Sequence, residues 1–186
     1  MAQLLNLATL EYGVTKNHED VEDVENVEYV EYLEYVEYVD SKFGILEVCA
    51  KQDGVTSISF IQEKCRATNS SVFTQQAAEQ LYEYFDGKRT QFDLSLTPQG
   101  TAFQHQVWRQ LATIEYGQTC SYADIAKGIK NPKAVRAVGA ANGRNPLTIV
   151  VPCHRVIGSN GRLTGYAWGT SIKAGLLDLE RAPYNI

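Results

Sequence analysis

The feature that most constrains this chain is a group of chemically active side chains placed directly after a buried stretch. Residues 147–151 (LTIVV) are nearly all apolar, so we expect the chain to enter the core there. Cys153, His154 and Arg155 follow immediately after Pro152. A cysteine is a strong nucleophile only as the thiolate, and neighbouring cations or a histidine base are the usual means of lowering its pKa. A lone cysteine is most often a small inert core residue, but these neighbours favour a reactive Cys153.

Other uses of a cysteine fit the sequence poorly. The chain has three histidines, His18, His105 and His154. His105 precedes Cys153 by 48 positions, as in caspases, but the caspase motif around the cysteine is absent. A papain-like enzyme needs a histidine far downstream of its cysteine, and there is none. No pairs of cysteines or histidines have zinc-site spacing, so we expect no metal and no cofactor.

Charge is distributed unevenly along the 186 residues, which have a formal net charge of −5. Residues 1–40 contain one Lys and 11 Asp or Glu, whereas residues 100–186 contain 10 Lys or Arg and four Asp or Glu. A basic C-terminal half suggests a polyanionic partner such as nucleic acid. The four cysteines are widely spaced and form no CxxC pair, which favours reduced thiols and a cytoplasmic location with access to the nucleoid or nucleus. No membrane helix and no signal peptide are predicted.

The N-terminal segment, residues 1–36, is interpreted as an acidic low-complexity region. From Val21 the chain runs in seven triplets that each open with Val or Leu. A period of three matches neither a strand nor a helix, and on a strand successive valines would face opposite sides. We expect the last one or two triplets to form a strand. A role for the acidic run in binding a basic partner remains an alternative.

Residues 37–98 are predicted to form a small α+β domain. Asp53-Gly54 separates two β-rich runs and predicts a hairpin. The spacing of apolar residues predicts a helix over 72–85, and FDLSL (92–96) is predicted to be a short strand. Gln99-Gly100 marks the expected boundary with a mainly helical domain over 99–186.

The C-terminal domain has the pattern of a helix-turn-helix protein. A capping box at Thr101 predicts a helix in residues 101–114, and a second short helix is predicted after Ser121. Asn131-Pro132 predicts the start of a third helix that ends near 142–143. This helix is rich in Ala, Val and Gly, so it suits close packing against a groove better than the reading of several base edges. A sequence-specific regulator without chemistry is therefore a weaker alternative.

The sequence resembles the O6-alkylguanine-DNA alkyltransferases, also called methylated-DNA–protein-cysteine methyltransferases. The resemblance rests on PCHRV, on AVRAVGAANGRNP and SYADIA before it, and on LTGY after it. It is strong over 101–180, loose over 43–96 and absent over 1–36. It implies an α+β fold, with an RNase H-like N-terminal unit before a helix-turn-helix domain. It also implies irreversible, single-turnover transfer of an alkyl group from O6-alkylguanine, and from O4-methylthymine, in double-stranded DNA to the protein's own cysteine.

The resemblance assigns roles to particular residues. Cys153 corresponds to the alkyl acceptor, His154 to the base that acts through a water molecule, and Glu180 to the residue that orients this histidine. Asn145 corresponds to the hinge between the helix-turn-helix and the active-site loop. The expected DNA and substrate contacts are Tyr122, Lys133, Val135, Arg136, Val156, Ser159, Tyr166, Ala167 and Trp168. Arg155 is expected to form a structural ion pair.

In this family Arg136 corresponds to the arginine that fills the gap left by the flipped base, and Tyr122 to a tyrosine that contacts the phosphate and the extruded guanine. A monomer is expected. Some relatives bind damaged DNA without repairing it, but in those the acceptor cysteine is replaced. The acidic triplets have no counterpart in the family.

Overall fold

The computed structural model describes residues 34–185 and shows an α+β fold, as predicted. Most of the acidic segment, residues 1–33, lies outside the described residues. The described part begins with an antiparallel three-stranded meander in the order β1-β2-β3. Its strands are β1 (Tyr35–Ser41), β2 (Gly44–Lys51) and β3 (Gly54–Ile61). The predicted hairpin at Asp53-Gly54 is confirmed, and so is the strand formed by the last triplets.

In strand β1 the valines of the three-residue repeat lie on alternate faces of the sheet, because side chains in a strand alternate with a period of two. Val36 lies with Tyr38 and Cys49 in a small apolar cluster, whereas Val39 belongs to the main core. The two valines therefore face opposite sides of the sheet, as expected for an odd repeat. Both sites are buried because β1 has apolar neighbours on both faces.

Helix α1 (Val72–Phe85) packs its buried residues into the main core and begins with a capping box at Ser71. The predicted strand over 92–96 is wrong, because only Leu96 forms a bridge, with Val55 of β3. Upstream of it, the backbone of Asp93 pairs with the side-chain amide of Gln80 on α1 at 2.9 and 2.8 Å. A glutamine side chain thus satisfies backbone groups that a strand partner would otherwise satisfy.

The described C-terminal part contains four α-helices, and the predicted capping box at Thr101 and the predicted helix after Ser121 are both confirmed. The third predicted helix begins at Val135, three residues later than its Asn131-Pro132 signal suggested. Residues 131–134 form a turn closed by a 3.0 Å bond from Ala134 N to Asn131 O. The helices are α2 (Ala102–Leu111), α3 (Tyr122–Gly128), α4 (Val135–Gly143) and α5 (Thr170–Leu179).

Two short stretches of backbone hydrogen bonding hold the active-site segment in position. Ile58 of β3 bonds to both sides of Leu147, through Pro146 O at 2.7 Å and Thr148 N at 3.0 Å. The segment that follows makes a single 3-10 turn over Cys153–Arg155 and then forms β5 (Val156–Ile157), which pairs in parallel with β4 (Cys120–Ser121). Within residues 34–185, no helix has the length and apolar character needed to span a membrane.

Candidate active site

Cys153 lies at the wall of a cavity of about 160 Å³ formed between α3, α4, the active-site segment and the loop before α5. The side chain is only 4% exposed. Six of the residues predicted from the sequence line this cavity. They are Tyr122, Asn145, Cys153, Tyr166, Ala167 and Trp168. The structure therefore brings together residues that are separated by up to 46 positions in the chain.

The environment of the thiol differs from the one the sequence suggested. Burial raises the pKa of Cys153, while hydrogen bonding to Asn145 and the charge of Lys173 act in the opposite direction. Arg155, which we expected to help lower this pKa, is turned toward Glu180 instead. Because burial favours the protonated thiol, reaction requires a nearby base to take its proton.

Asn145 fixes the loop that precedes the cysteine. Its Nδ2 donates a 2.7 Å hydrogen bond to the carbonyl of Val151, and its Oδ1 accepts one of 3.0 Å from the backbone N–H of Leu147. The loop contains Ile149 in the left-handed region at φ 75°, a costly conformation for a β-branched residue. The Asn145 amide thus holds a strained loop in the position that presents Cys153 to the cavity.

His154 and Glu180 form a fully buried pair. His154 Nε2 lies 2.9 Å from Glu180 Oε1, and the other ring nitrogen, Nδ1, makes no hydrogen bond within the described residues. Burial lowers the pKa of His154, and the hydrogen bond to Glu180 partly opposes that effect. A carboxylate acceptor at Nε2 favours the tautomer with its proton there, which leaves Nδ1 as a free proton acceptor.

Glu180 also binds Arg155, as the ion-pair prediction for this arginine required. Arg155 Nε donates to Glu180 Oε2 at 2.8 Å, and its terminal nitrogen donates to Oε1 at 2.9 Å. Burial raises the pKa of Glu180, but its hydrogen bonds and charge interactions with His154 and Arg155 outweigh burial and lower it to about 2. Glu180 is therefore ionised throughout the physiological range. It lies at the C-terminal cap of α5.

Two buried residues that support this site, Lys173 and Tyr84, were not predicted from the sequence. Lys173 of α5 is completely buried, and Tyr84 of α1 donates a 2.7 Å hydrogen bond to Glu180 Oε1. Lys173 precedes the buried Leu176 by three positions, so helical spacing places it on the core side of α5. That spacing was the available signal for the lysine, whereas the position of Tyr84 depends on how α1 packs against the C-terminal domain.

Two of the aromatic side chains that line the cavity are held by hydrogen bonds. Tyr122 OH lies 3.0 Å from the hydroxyl of Thr164, and Trp168 Nε1 donates to the hydroxyl of Thr148 at 3.1 Å. The Trp168 ring also packs edge-on against Phe60 of β3, with 6.1 Å between centroids. These contacts fix the positions of two aromatic rings that line the cavity.

Comparison with known proteins agrees with this geometry. Residues 35–98 match the ribonuclease-like domain of 6-O-methylguanine DNA methyltransferase, and residues 102–182 match the DNA binding domain of the same family. The methylated-DNA–protein-cysteine methyltransferase of Methanosarcina acetivorans is 46% identical over 147 residues, which cover 76% of this chain and 94% of that protein. This chain belongs to the methylated-DNA–protein-cysteine methyltransferase family.

Further relatives in this methyltransferase family support the assignment. The constitutive methylated-DNA–protein-cysteine methyltransferase of Bacillus subtilis is 46% identical over 155 residues, covering 78% of this chain and 94% of its own. The crystal structure of Mycobacterium tuberculosis OGT in complex with DNA superimposes with a TM-score of 0.73 at 44% identity, covering 80% of this chain and 95% of that one. The resemblance seen in the sequence is thus confirmed for the family and the fold.

Several residues expected to serve this methyltransferase lie outside the cavity. Lys133, Val135 and Arg136 are exposed around the start of α4, the helix whose Gly139 and Gly143 line the cavity. Arg136 lies one helical turn before Gly139, so it is on the same face of α4 as this cavity-lining residue.

Two residues predicted to contact the base do not line the cavity. Ser159 is exposed in a turn closed by a 2.9 Å bond from Gly161 N to Gly158 O, and it does not line the cavity. Val156 is fully buried in β5, and its carbonyl accepts a hydrogen bond from Lys173. Val156 therefore supports the site from behind. Thr148 and Asn142, which were not predicted, line the cavity instead.

Proposed function

We propose that this chain repairs DNA by direct reversal, moving a methyl or larger alkyl group from O6 of guanine onto its own Cys153. The observation that supports this most strongly is the placement of Cys153 on the wall of the cavity, next in the chain to the buried His154–Glu180 pair. O6 of guanine is hidden inside a duplex, so the target nucleotide must be flipped out to reach such a cavity.

The proposed chemistry begins with removal of the thiol proton. His154 Nδ1 is the acceptor, reached through one water molecule, and Glu180 stabilises the imidazolium that forms. The thiolate attacks the alkyl carbon, the new S–C bond forms as the C–O6 bond breaks, and the electron pair leaves with guanine. The proton lost by the thiol balances the proton that the released guanine regains. Because the product is a thioether, each molecule reacts once.

The surface around α4 supplies the proposed DNA contacts. Arg136 fills the gap left by the flipped base, and Tyr122 at the cavity rim contacts the phosphate and the extruded guanine. Lys133 contacts the phosphate backbone, next to Val135. Contacts of this kind give affinity without sequence preference, which suits a protein that must inspect all sequences. We propose that it acts as a monomer on double-stranded DNA in the cytoplasm, with access to the nucleoid or nucleus.

The test is the intact mass of the protein after mixing with a duplex that contains O6-methylguanine. We expect one added methyl group per chain, located on Cys153 by peptide mapping. Cys153→Ala should bind the duplex and gain no mass, while Cys120→Ala, the same change at a partly buried thiol elsewhere, should still gain one methyl. A methyl group on Cys49, Cys65 or Cys120, or binding without any mass gain, would refute the proposal. The latter outcome would indicate a protein that recognises damage without repairing it.

A further inference from the structure

A tyrosine of the N-terminal domain reaches the catalytic hydrogen-bond network of the C-terminal domain. The hydroxyl of Tyr84, near the end of α1, donates a 2.7 Å hydrogen bond to Glu180 Oε1 across 96 positions of sequence. Both side chains are buried, with Tyr84 at 0% exposure. A buried hydrogen bond to a carboxylate is among the stronger ones in proteins, so this contact has an energetic consequence.

The carboxylate oxygen Oε1 of Glu180 accepts hydrogen bonds from three different side chains. It receives Tyr84 OH at 2.7 Å, Arg155 at 2.9 Å and His154 Nε2 at 2.9 Å. Oε2 receives Arg155 Nε at 2.8 Å and the backbone N–H of Gly117 at 3.4 Å. A carboxylate has about four lone-pair positions, two on each oxygen. Three donors at one oxygen must therefore share two lone pairs, and Tyr84 competes with His154 for the same atom.

We propose that Tyr84 is a positioning residue of the methyl-transfer site, which draws charge from Glu180 Oε1 and so limits how strongly this carboxylate stabilises the His154 imidazolium. This inference rests on the proposed function, and it makes the N-terminal domain part of the active site. Without the phenol, Glu180 would interact more strongly with the imidazolium, and His154 would hold its proton to higher pH.

The other charged and titratable groups around the pair do not replace this contribution. Arg155 binds Glu180 from the active-site turn, and Lys173 approaches from α5. Tyr116 packs against Tyr84 and also lies near Arg181, while Cys153 precedes the histidine. Burial and the neighbouring Glu180 raise the pKa of Tyr84 well above 10, so it remains a neutral donor whenever the protein works. Apart from the neutral His154 ring, Tyr84 is the one uncharged side-chain donor to Glu180 among the described residues.

The ring of Tyr84 is held independently of its hydroxyl. It packs against Phe85, Phe92 and Tyr116, with centroids 5.4, 5.7 and 6.2 Å away. Tyr84→Phe keeps these contacts and removes only the hydrogen bond. Glu180 keeps its bonds to Arg155, so the carboxylate stays in place. Tyr116→Phe is the matched control, because its hydroxyl donates to the backbone carbonyl of Leu179 at 3.2 Å and makes no bond to the carboxylate.

The experiment measures two quantities in each variant. One is the pH profile of single-turnover methyl transfer from duplex DNA. The other is the pH titration of the His154 ring by NMR without DNA, which is tractable because the chain has three histidines. For Tyr84→Phe we expect both to move to higher pH by about one unit, which is about a tenfold slower transfer on the acid limb. Tyr116→Phe should move neither.

The outcomes separate the possible roles of Tyr84. An unshifted profile and an unshifted His154 titration would overturn the proposal, and so would a uniform loss of rate at every pH, which indicates a structural role only. If Tyr84→Phe fails to fold, 3-fluorotyrosine placed at position 84 tests the same idea. Its more acidic phenol is a stronger donor, so both quantities should move to lower pH, and no movement would overturn the proposal. Absence of methyl transfer in the wild type would refute the proposed function alone, since the histidine titration does not depend on it.

Discussion

The ammonium group of Lys173 donates a 2.6 Å hydrogen bond to the carbonyl oxygen of Val156, directly behind the reactive turn. The side chain has no exposed surface, and its second contact is the carbonyl of Thr164 at 3.4 Å. Burial lowers the pKa of Lys173 to about 8, and the charge of Cys153 acts in the opposite direction. Near pH 7 Lys173 is therefore mostly a cation, with no carboxylate among its described contacts, and its field favours the thiolate of Cys153.

Removing this cation should slow the reaction. Lys173→Met keeps most of the side-chain volume but removes the charge, so the pKa of Cys153 should rise and the thiolate should become scarcer. We expect methyl transfer at pH 7 to slow by roughly tenfold, since one pKa unit changes the thiolate population by that factor. Single-turnover kinetics on duplex DNA measures the effect. Lys64→Met, at an exposed lysine paired with Asp40, is the control and should react at the wild-type rate.

Sequence motifs predicted helix starts correctly where the whole hydrogen-bonded structure lies within a few consecutive residues. The capping boxes at Thr101 and Ser121 each join residues three positions apart, so a short motif contains the whole interaction. The Asn131-Pro132 signal begins a turn and not the helix itself. Ala134 N donates to Asn131 O at 3.0 Å, and α4 begins only at Val135.

The site itself was predictable only in part, for a similar reason. Cys153, His154 and Asn145 lie in one short segment whose motif resembles a known family. The contribution of Tyr84 depends on α1 packing beneath the C-terminal domain, and no short pattern encodes a contact across 96 positions. The 92–96 segment was mispredicted for the same reason. The side chain that hydrogen-bonds to the backbone of Asp93 belongs to Gln80 on helix α1, which is distant in sequence.

Because of the buried ion pair between Glu180 and Arg155, we expect the free energy of unfolding to decrease at acidic pH. The folded pKa of Glu180, about 2, lies below its ordinary value of 4.5. The stabilising contribution is therefore complete above about pH 4.5 and is lost as pH falls toward 2. Glu180→Gln should be less stable than the wild type at pH 7, and its free energy of unfolding should fall less steeply between pH 4.5 and 2. The difference in slope is at most about 1.4 kcal/mol per pH unit for one proton.

Urea unfolding monitored at several pH values between 2 and 7 measures this slope. Glu63→Gln, at an acidic residue on the exposed side of the N-terminal domain, is the control and should retain the wild-type slope. If Glu180→Gln and the wild type lose stability in parallel below pH 4.5, the acid dependence arises from other carboxylates.

We expect Arg136 to affect the reaction with duplex DNA but not the methyl-transfer step itself. It is exposed on α4, one turn before a cavity-lining glycine, where it can fill the space left by a flipped base. Arg136→Ala should slow repair of a duplex by about tenfold or more, because an unfilled gap leaves the flipped state less stable by the cost of unstacking. Reaction with the free base O6-methylguanine, which needs no flipping, should be nearly unchanged. Equal losses on both substrates would rule out this role, and Arg162→Ala, at another exposed arginine, should affect neither.

Trp168 should control the size of the alkyl group that the cavity accepts. Its indole is fixed by the hydrogen bond to Thr148 and by the edge contact with Phe60, so it cannot move aside easily. A methyl group needs little room beside Cys153, but a benzyl group must fit its ring against the indole. Steric overlap of this kind costs ~1–3 kcal/mol, and ~1.4 kcal/mol corresponds to a tenfold change in rate. We therefore expect good reaction with O6-methylguanine in DNA and poor reaction with O6-benzylguanine.

The decisive variant is Trp168→Gly. It should react with O6-benzylguanine about tenfold faster or more, with little change for O6-methylguanine, when loss of free thiol at Cys153 is followed over time. Trp168→Phe separates the two contacts of the indole, because it keeps a ring against Phe60 and removes the hydrogen bond to Thr148. If steric size dominates, the phenylalanine variant should lie between the wild type and the glycine variant. A glycine variant that reacts more slowly with the benzyl substrate would instead mean that the indole stacks on the benzyl ring and assists it, because removing a wall can only speed a reaction limited by space.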